Sequence, residues 1–162
     1  MTRPMSAEST PVFAVAAPAQ LAPVDALMRS AFTPYVRRLG REIPADAYAW
    51  FAEAIVKGDI YVALDGDEIV GAIATRRRDA DIELALIGVS PTRQKRGIAS
   101  FMIARVAEIA RAEGLRTLSL TTAEMMEDRI RLYRKHDFEI VRRGPPEHGK
   151  DAHMRVHMER IL

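Results

Sequence analysis

Apolar and polar positions along the chain follow two periods, near two and near 3.6, which partition it into strands and helices. Residues 12–15 form a short apolar run between Pro11 and Pro18 and predict a first strand. From 23 to 32 the apolar residues Val24, Leu27, Met28 and Ala31 recur at helical spacing. Pro23 falls in the first turn, where a missing N–H costs little, and Asp25 suits the positive helix end. Residues 33–43 break at Pro34 and Gly40 and predict an inter-helix connection. A second helix is predicted over 44–57, opened by Pro44, closed by Gly58 and burying Tyr48, Phe51, Ala52 and Ile55. Period two then takes over. Residues 60–64 and 69–75 flank Asp65-Gly66-Asp67-Glu68 and predict a hairpin. Arg76-Arg77-Arg78 with Asp79-Ala80-Asp81 reads as the next turn, and 82–89 as the third strand of a meander.

From Ile98 helical spacing returns, with Ile98, Met102, Ile103, Val106 and Ala110 on one face. Arg105, Glu108 and Arg111 lie opposite, three apart and able to pair, and Gly114 supplies a C-terminal cap. Residues 117–121 alternate as a strand, and 124–136 carry Met126, Ile130 and Tyr133 at helical positions. Residues 138–141 and 152–159 predict two more strands around a turn containing Gly144-Pro145-Pro146. The expected fold is one α+β domain over 11–162, a mixed and mostly antiparallel sheet of about seven strands with about four helices. Residues 1–10 read as a disordered tail.

Composition narrows the function classes. A chain of 162 residues suits a single domain. It has no cysteine, which excludes disulfides, a thiol nucleophile and thiolate metal sites. A net charge of +2 is far from the basic excess of nucleic-acid binders, so no nucleic-acid partner is expected. There is no apolar run long enough for a bilayer and no signal-like h-region, so a cytoplasmic protein without a membrane partner is expected. His153 and His157, four residues apart on a predicted strand, are about 13 Å apart. They are expected to face solvent, and no metal site is expected.

The chemistry concentrates between the strand at 82–89 and the helix that starts at Ile98. Arg93-Gln94-Lys95-Arg96-Gly97-Ile98-Ala99 joins them with positive side chains, two small residues and the exposed N–H groups of a helix start. Such a turn holds phosphate well. Spacing alone leaves an ordinary β–α turn with solvated basic residues equally open. The turn lacks both GxGxxG and the glycine–lysine–serine/threonine ending, and hairpins precede it, so the nucleotide folds built on those motifs do not apply.

Gln94-Lys95-Arg96-Gly97-Ile98-Ala99 resembles the Q/R-x-x-G-x-G/A signature of the GNAT family of N-acetyltransferases, and the order of elements resembles that family over almost the whole chain. Residues 129–138, with Leu132-Tyr133 leading to Phe138, are similar to its second landmark. Residues 35–42 resemble a loop of one bacterial branch.

The resemblance implies transfer of acetyl from acetyl-CoA to a primary amine, on a small molecule or a protein, by direct attack in a ternary complex. Gln94, Lys95, Arg96, Gly97, Ile98, Ala99 and Ser100 would hold the pyrophosphate. Ile87 and Val89 would offer strand-edge groups to the pantetheine arm, with Gly88 at a bulge where this strand splays. Tyr133 matches the family's general acid. Glu83, eleven residues before Gln94, matches the glutamate that serves some members as base, while others use water. Glu124 and Glu127 are competitors. Independently of the resemblance, Tyr35, Arg38 and Arg41 are side chains that can grip a ligand and hint at an acceptor carrying a carboxylate or phosphate; Arg129 and Arg134 could meet the 3′-phosphate end of CoA. A homodimer is expected by the same resemblance. The chain departs from the family at Met126, where asparagine is common, at Arg129, where a small residue is usual, and at His136-Asp137, where Leu-Gly is usual. A non-catalytic acetyl-CoA-binding sensor or interaction module is the alternative that the changes at Met126 and Arg129 allow.

Overall fold

The structure, a computed structural model, describes residues 10–162; apart from Thr10, the expected tail over 1–10 lies outside the described residues. Seven strands form one sheet: β1 (Val12–Val15), β2 (Ile60–Asp65), β3 (Glu68–Arg78), β4 (Asp81–Val89), β5 (Thr117–Ala123), β6 (Glu139–Gly144) and β7 (Arg155–Ile161). Their order is β1-β2-β3-β4-β5-β7-β6, with every pairing antiparallel except β4 with β5. Four helices cover the sheet: α1 (Leu21–Arg38), α2 (Phe51–Val56), α3 (Ile98–Ala112) and α4 (Glu127–Lys135).

The central strands are apolar on both faces because both faces are covered. Ile60 and Val62 of β2 join Ala72 and Ala74 of β3 in a core with Val24, Met28 and Phe32 of α1 and Phe51 of α2. Tyr61, Val70, Ile73 and Ile82 point the other way, to Met102, Ile103 and Val106 of α3 and Ile130 and Tyr133 of α4. Arg105 pairs with Glu108 on the outer face of α3 at 3.0 Å, and Gly114 follows that helix with φ 75°.

Several boundaries differ from expectation, each for a tertiary reason. The first helix does not stop at Phe32 but runs through Pro34 to Arg38. Burial of Phe32, with Tyr35 and Val36 packed beyond the proline, offsets the single lost backbone bond. The second helix is confined to Phe51–Val56, and residues 45–50 are turns. The Arg29 guanidinium donates to the carbonyls of Pro44 (3.1 Å) and Ala45 (2.8 Å), acceptors that a helix starting at Pro44 would have used internally. The triple arginine is strand rather than turn. Arg76 lies opposite Glu83, Arg77 opposite Ile82 and Arg78 opposite Asp81, and the reversal falls at Asp79, whose φ is 32°.

The feature that makes a site is the parting of β4 and β5. They pair only between Asp81–Glu83 and residues 117–119. The Asp81 carboxylate clamps this closed end, accepting hydrogen bonds from the hydroxyls of Thr117 (2.7 Å) and Ser119 (2.6 Å). Beyond it β4 stays with β3 and β5 with β7, so the sheet opens along Leu84 to Val89. The register of β3 against β4 shifts opposite Ala85, which places the bulge there and not at Gly88. Gly88 has a different job. A Cβ on it would lie 2.8 Å from Met28 Sδ and 3.3 Å from Ala31 Cβ, so its absence lets α1 lie directly on the strand beside the opening.

Candidate active site

Two cavities meet at the opening. The larger, of about 450 Å³, is bounded by Ile87 and Val89 of β4, the turn from Arg93 to Ser100, and Asp128, Arg129, Leu132 and Tyr133 of α4. The turn is shaped to offer donors. Lys95 (φ 64°) and Gly97 (φ 78°) both take the left-handed conformation, and Gly97 is the N-cap of α3, with no side chain capping that helix. The first-turn N–H groups of Ile98, Ala99 and Ser100 therefore have no intrahelical acceptor. A Cβ at Gly97 would meet nothing within 4 Å, so the space before these groups is open to a ligand. Helix dipole, orphan donors and the left-handed pair together make a concavity suited to a pyrophosphate. Arg93 is not free to join it. It is held by Asp65 (2.9 Å) and Glu68 (2.7 Å), which fastens the turn to the β2–β3 hairpin.

The smaller cavity, of about 230 Å³, lies between the end of α1, the segment 41–48 and the opened edges of β4 and β5. Phe32, Val36, Ile43, Leu86 and Leu120 make its wall largely apolar, and Tyr35, Arg41 and Thr122 add polar groups. Tyr35 Oη accepts from the Ala123 backbone N–H at 3.0 Å, which ties α1 to the end of β5. The segment after α1 is fastened twice: by Arg29 to the carbonyls of Pro44 and Ala45, and by Arg41, 3.5 Å from Asp151 in the β6–β7 connection.

Ile87, Arg129 and Tyr133 line both cavities. Tyr133 is almost fully buried, with its ring edge-on to Phe138. Burial raises its pKa above the ordinary phenol value, and the neighbouring Arg129 pulls it the other way. The buried phenol therefore keeps its proton at neutral pH and can donate it.

The chain matches the sequence model of the acetyltransferase (GNAT) family over residues 24–138. It belongs to this family. An uncharacterised N-acetyltransferase of Bacillus subtilis, YvbK, is 28% identical over 89 residues, 54% of this chain and 57% of the relative, so the match spans little more than half of that protein. Two solved structures share the fold. The PaiA N-acetyltransferase of Thermoplasma acidophilum, solved in complex with coenzyme A, superposes with a TM-score of 0.76 at 15% identity, covering 95% of this chain and 100% of that one. A GNAT family acetyltransferase from Elizabethkingia anophelis with acetyl-CoA bound gives 0.63 at 19% identity, covering 73% and 85%.

Within this GNAT fold the expected site residues separate. Ile87, Val89, Gln94, Lys95, Gly97, Ile98, Ala99 and Ser100 line the larger cavity; Gly88 faces α1, and Arg96, though exposed in the turn, is not part of the lining. Tyr35 and Arg41 line the smaller cavity, whereas Arg38 is exposed on the last turn of α1 and lines neither. Glu83 lies outside both, with Oε1 3.2 Å from Arg76 and 3.2 Å from Arg78. Glu124 pairs with Arg143 across to β6, and Arg134 lines neither cavity. His157 is half-buried rather than solvent-facing, with Nδ1 2.8 Å from Thr121 Oγ1. Two family departures have packing explanations. Met126 is buried with Leu39 and Ala123 against Tyr35, seating the start of α4 on the end of α1. Asp137 has φ 66°, a left-handed position where a glycine is usual and which a short polar side chain tolerates.

Sequence reasoning did not place Arg129 at the junction. Its guanidinium lies 5.0 Å from the ring centroids of both Phe32 and Tyr35. The helical offset of four from Tyr133 was the available signal, since it puts both residues on one face of α4.

Proposed function

We propose that the protein is an N-acetyltransferase that moves acetyl from acetyl-CoA to an amine, with the acetyl-CoA in the larger cavity and the amine in the smaller. The observation that carries this reading is that Tyr133, a buried proton donor, lines both cavities where β4 and β5 part.

The turn from Gln94 to Ser100 holds the pyrophosphate through backbone N–H groups and the N-terminus of α3. Ile87 and Val89 present the backbone of an opened strand edge to the pantetheine amides, as an added strand would be received. When bound, acetyl-CoA supplies a thioester activated for acyl transfer. Tyr133 gives its phenolic proton to the sulfur as the carbon–sulfur bond breaks and the new amide bond forms. A general acid so placed contributes roughly 10²–10⁴-fold. The amine proton goes to water, because Glu83 is held by two arginines outside both cavities. Tyr35 and Arg41 line the acceptor side. The packing role of Met126 removes one of the two reasons for a non-catalytic module.

The test is calorimetric titration with acetyl-CoA, followed by an assay of CoA release across a panel of small amines and peptide N-termini. Acetyl-CoA binding that weakens at least tenfold in Gly97→Asp, together with amine-dependent CoA release, is expected. A negative side chain in the turn that leaves binding unchanged, or binding without release for any amine, contradicts the reading.

A further inference from the structure

Arg129 stands out among the charges that line the smaller cavity. Arg41 is tied to Asp151, and Glu42 is exposed and paired with Arg37 at 3.3 Å. The acid next to Arg129 in sequence, Asp128, pairs with Arg131 instead. Among the described residues no carboxylate forms an ion pair with Arg129. Its contacts are the rings of Phe32 and Tyr35 and the hydroxyl of Tyr133, toward which one guanidinium donor is turned. Ring contacts fix a guanidinium in place, and of its five N–H donors those not turned to Tyr133 remain for a carboxylate. The cation is half-buried in a largely apolar wall, where a compensating charge is worth more than it would be in water.

We propose that Arg129 is the specificity residue of the acceptor cavity and binds a carboxylate carried on the same carbon as the attacking amine, so that the preferred acceptors are α-amino acids with apolar side chains. This rests on the acetyl-transfer reading above. Arg129 and Tyr133 are one helical turn apart on the same face, so an anion held by Arg129 lies within a few atoms of the nitrogen that reacts beside Tyr133. Phe32, Val36, Ile43, Leu86 and Leu120 then receive the side chain of the acceptor.

The experiment compares kcat/KM for leucine, leucinamide and isopentylamine, and for the corresponding phenylalanine series, in the wild type, Arg129→Gln and Arg129→Lys. Values are taken at their pH-independent limits, because a carboxamide lowers the pKa of the adjacent amine. The wild type is expected to favour the carboxylate over the carboxamide by roughly 10- to 100-fold, the value of a charge-assisted pair. Arg129→Gln brings that ratio to within about threefold, and Arg129→Lys, which keeps the charge and loses the fork, falls between. An equal ratio in the wild type overturns the inference without any variant being needed. So does a ratio that Arg129→Gln leaves unchanged while turnover of every amine falls, the pattern of a residue acting on the thioester alone. Both outcomes leave acetyl transfer standing, whereas absence of transfer to every amine overturns the transfer reading and this inference with it.

Discussion

At the scale of single residues the account turns on protonation. Burial holds the Tyr133 pKa above its ordinary value, so the acid form persists across the physiological range and is lost only above about pH 10. The amine must lose its own proton first, so kcat/KM should rise with pH until the acceptor is neutral, with no descending limb below about pH 10. A fall with an apparent pKa under about 9, measured in a pH-rate profile, would exclude Tyr133 as the acid. The place of Tyr133 on α4, leading to Phe138, was legible in the sequence because its Leu-Tyr landmark is local. The pairing of Glu83 was not, because it depends on β3 register: Arg76 and Arg78 reach it only once residues 76–78 are strand. Arg129 escaped for a related reason, since its partners Phe32 and Tyr35 lie almost a hundred positions away.

At the scale of elements, the wall of the smaller cavity is fastened by an ion pair that reaches across the fold. Asp151, whose side chain is 3% exposed, accepts from Arg155 at 3.0 and 2.9 Å and from the His153 backbone at 3.0 Å, and lies 3.5 Å from Arg41. These partners, Arg155 first, hold its carboxyl well below the usual carboxylate range. A depressed native pKa contributes stability that is present above the unfolded value of about 3.9 and lost as pH falls toward the native one. Asp151→Asn leaves Arg155 largely buried without its counter-charge and should cost ~3 kcal/mol at neutral pH. Urea unfolding checks this: the gap between wild type and variant should be flat from about pH 8 to pH 5 and shrink below about pH 4. A gap that persists unchanged in acid would mean that the loss is packing rather than charge. Apolar period made the elements themselves legible. Proline and glycine punctuation misplaced the boundaries between residues 33 and 50, because Phe32 packing carries α1 through Pro34 and Arg29 takes the carbonyls that would have started a longer α2. Gly88 was read as a bulge, but the bulge follows strand pairing and sits at Ala85, while the glycine answers to the close approach of α1.

At the scale of the whole molecule, one sheet separates two cores, and both cavities lie at its central parting. Asp81 closes one end of that parting; the basic turn and α3 form the mouth of one cavity, and the segment after α1 forms that of the other. The two cavities meet beside the buried Tyr133. Among the described residues no helix is long and apolar enough to cross a membrane. The basic turn that lines the larger cavity was legible in the sequence because its residues are contiguous from Gln94 to Ser100. The smaller cavity was legible only in part, because α1, the segment 41–48, β4, β5 and α4, far apart in the chain, build it. The most direct test of the whole arrangement is single-turnover formation of N-acetylated amine by the wild type and Tyr133→Phe at saturating acetyl-CoA. The account predicts product with the wild type and a rate at least about 100-fold lower with the variant; equal rates would contradict it.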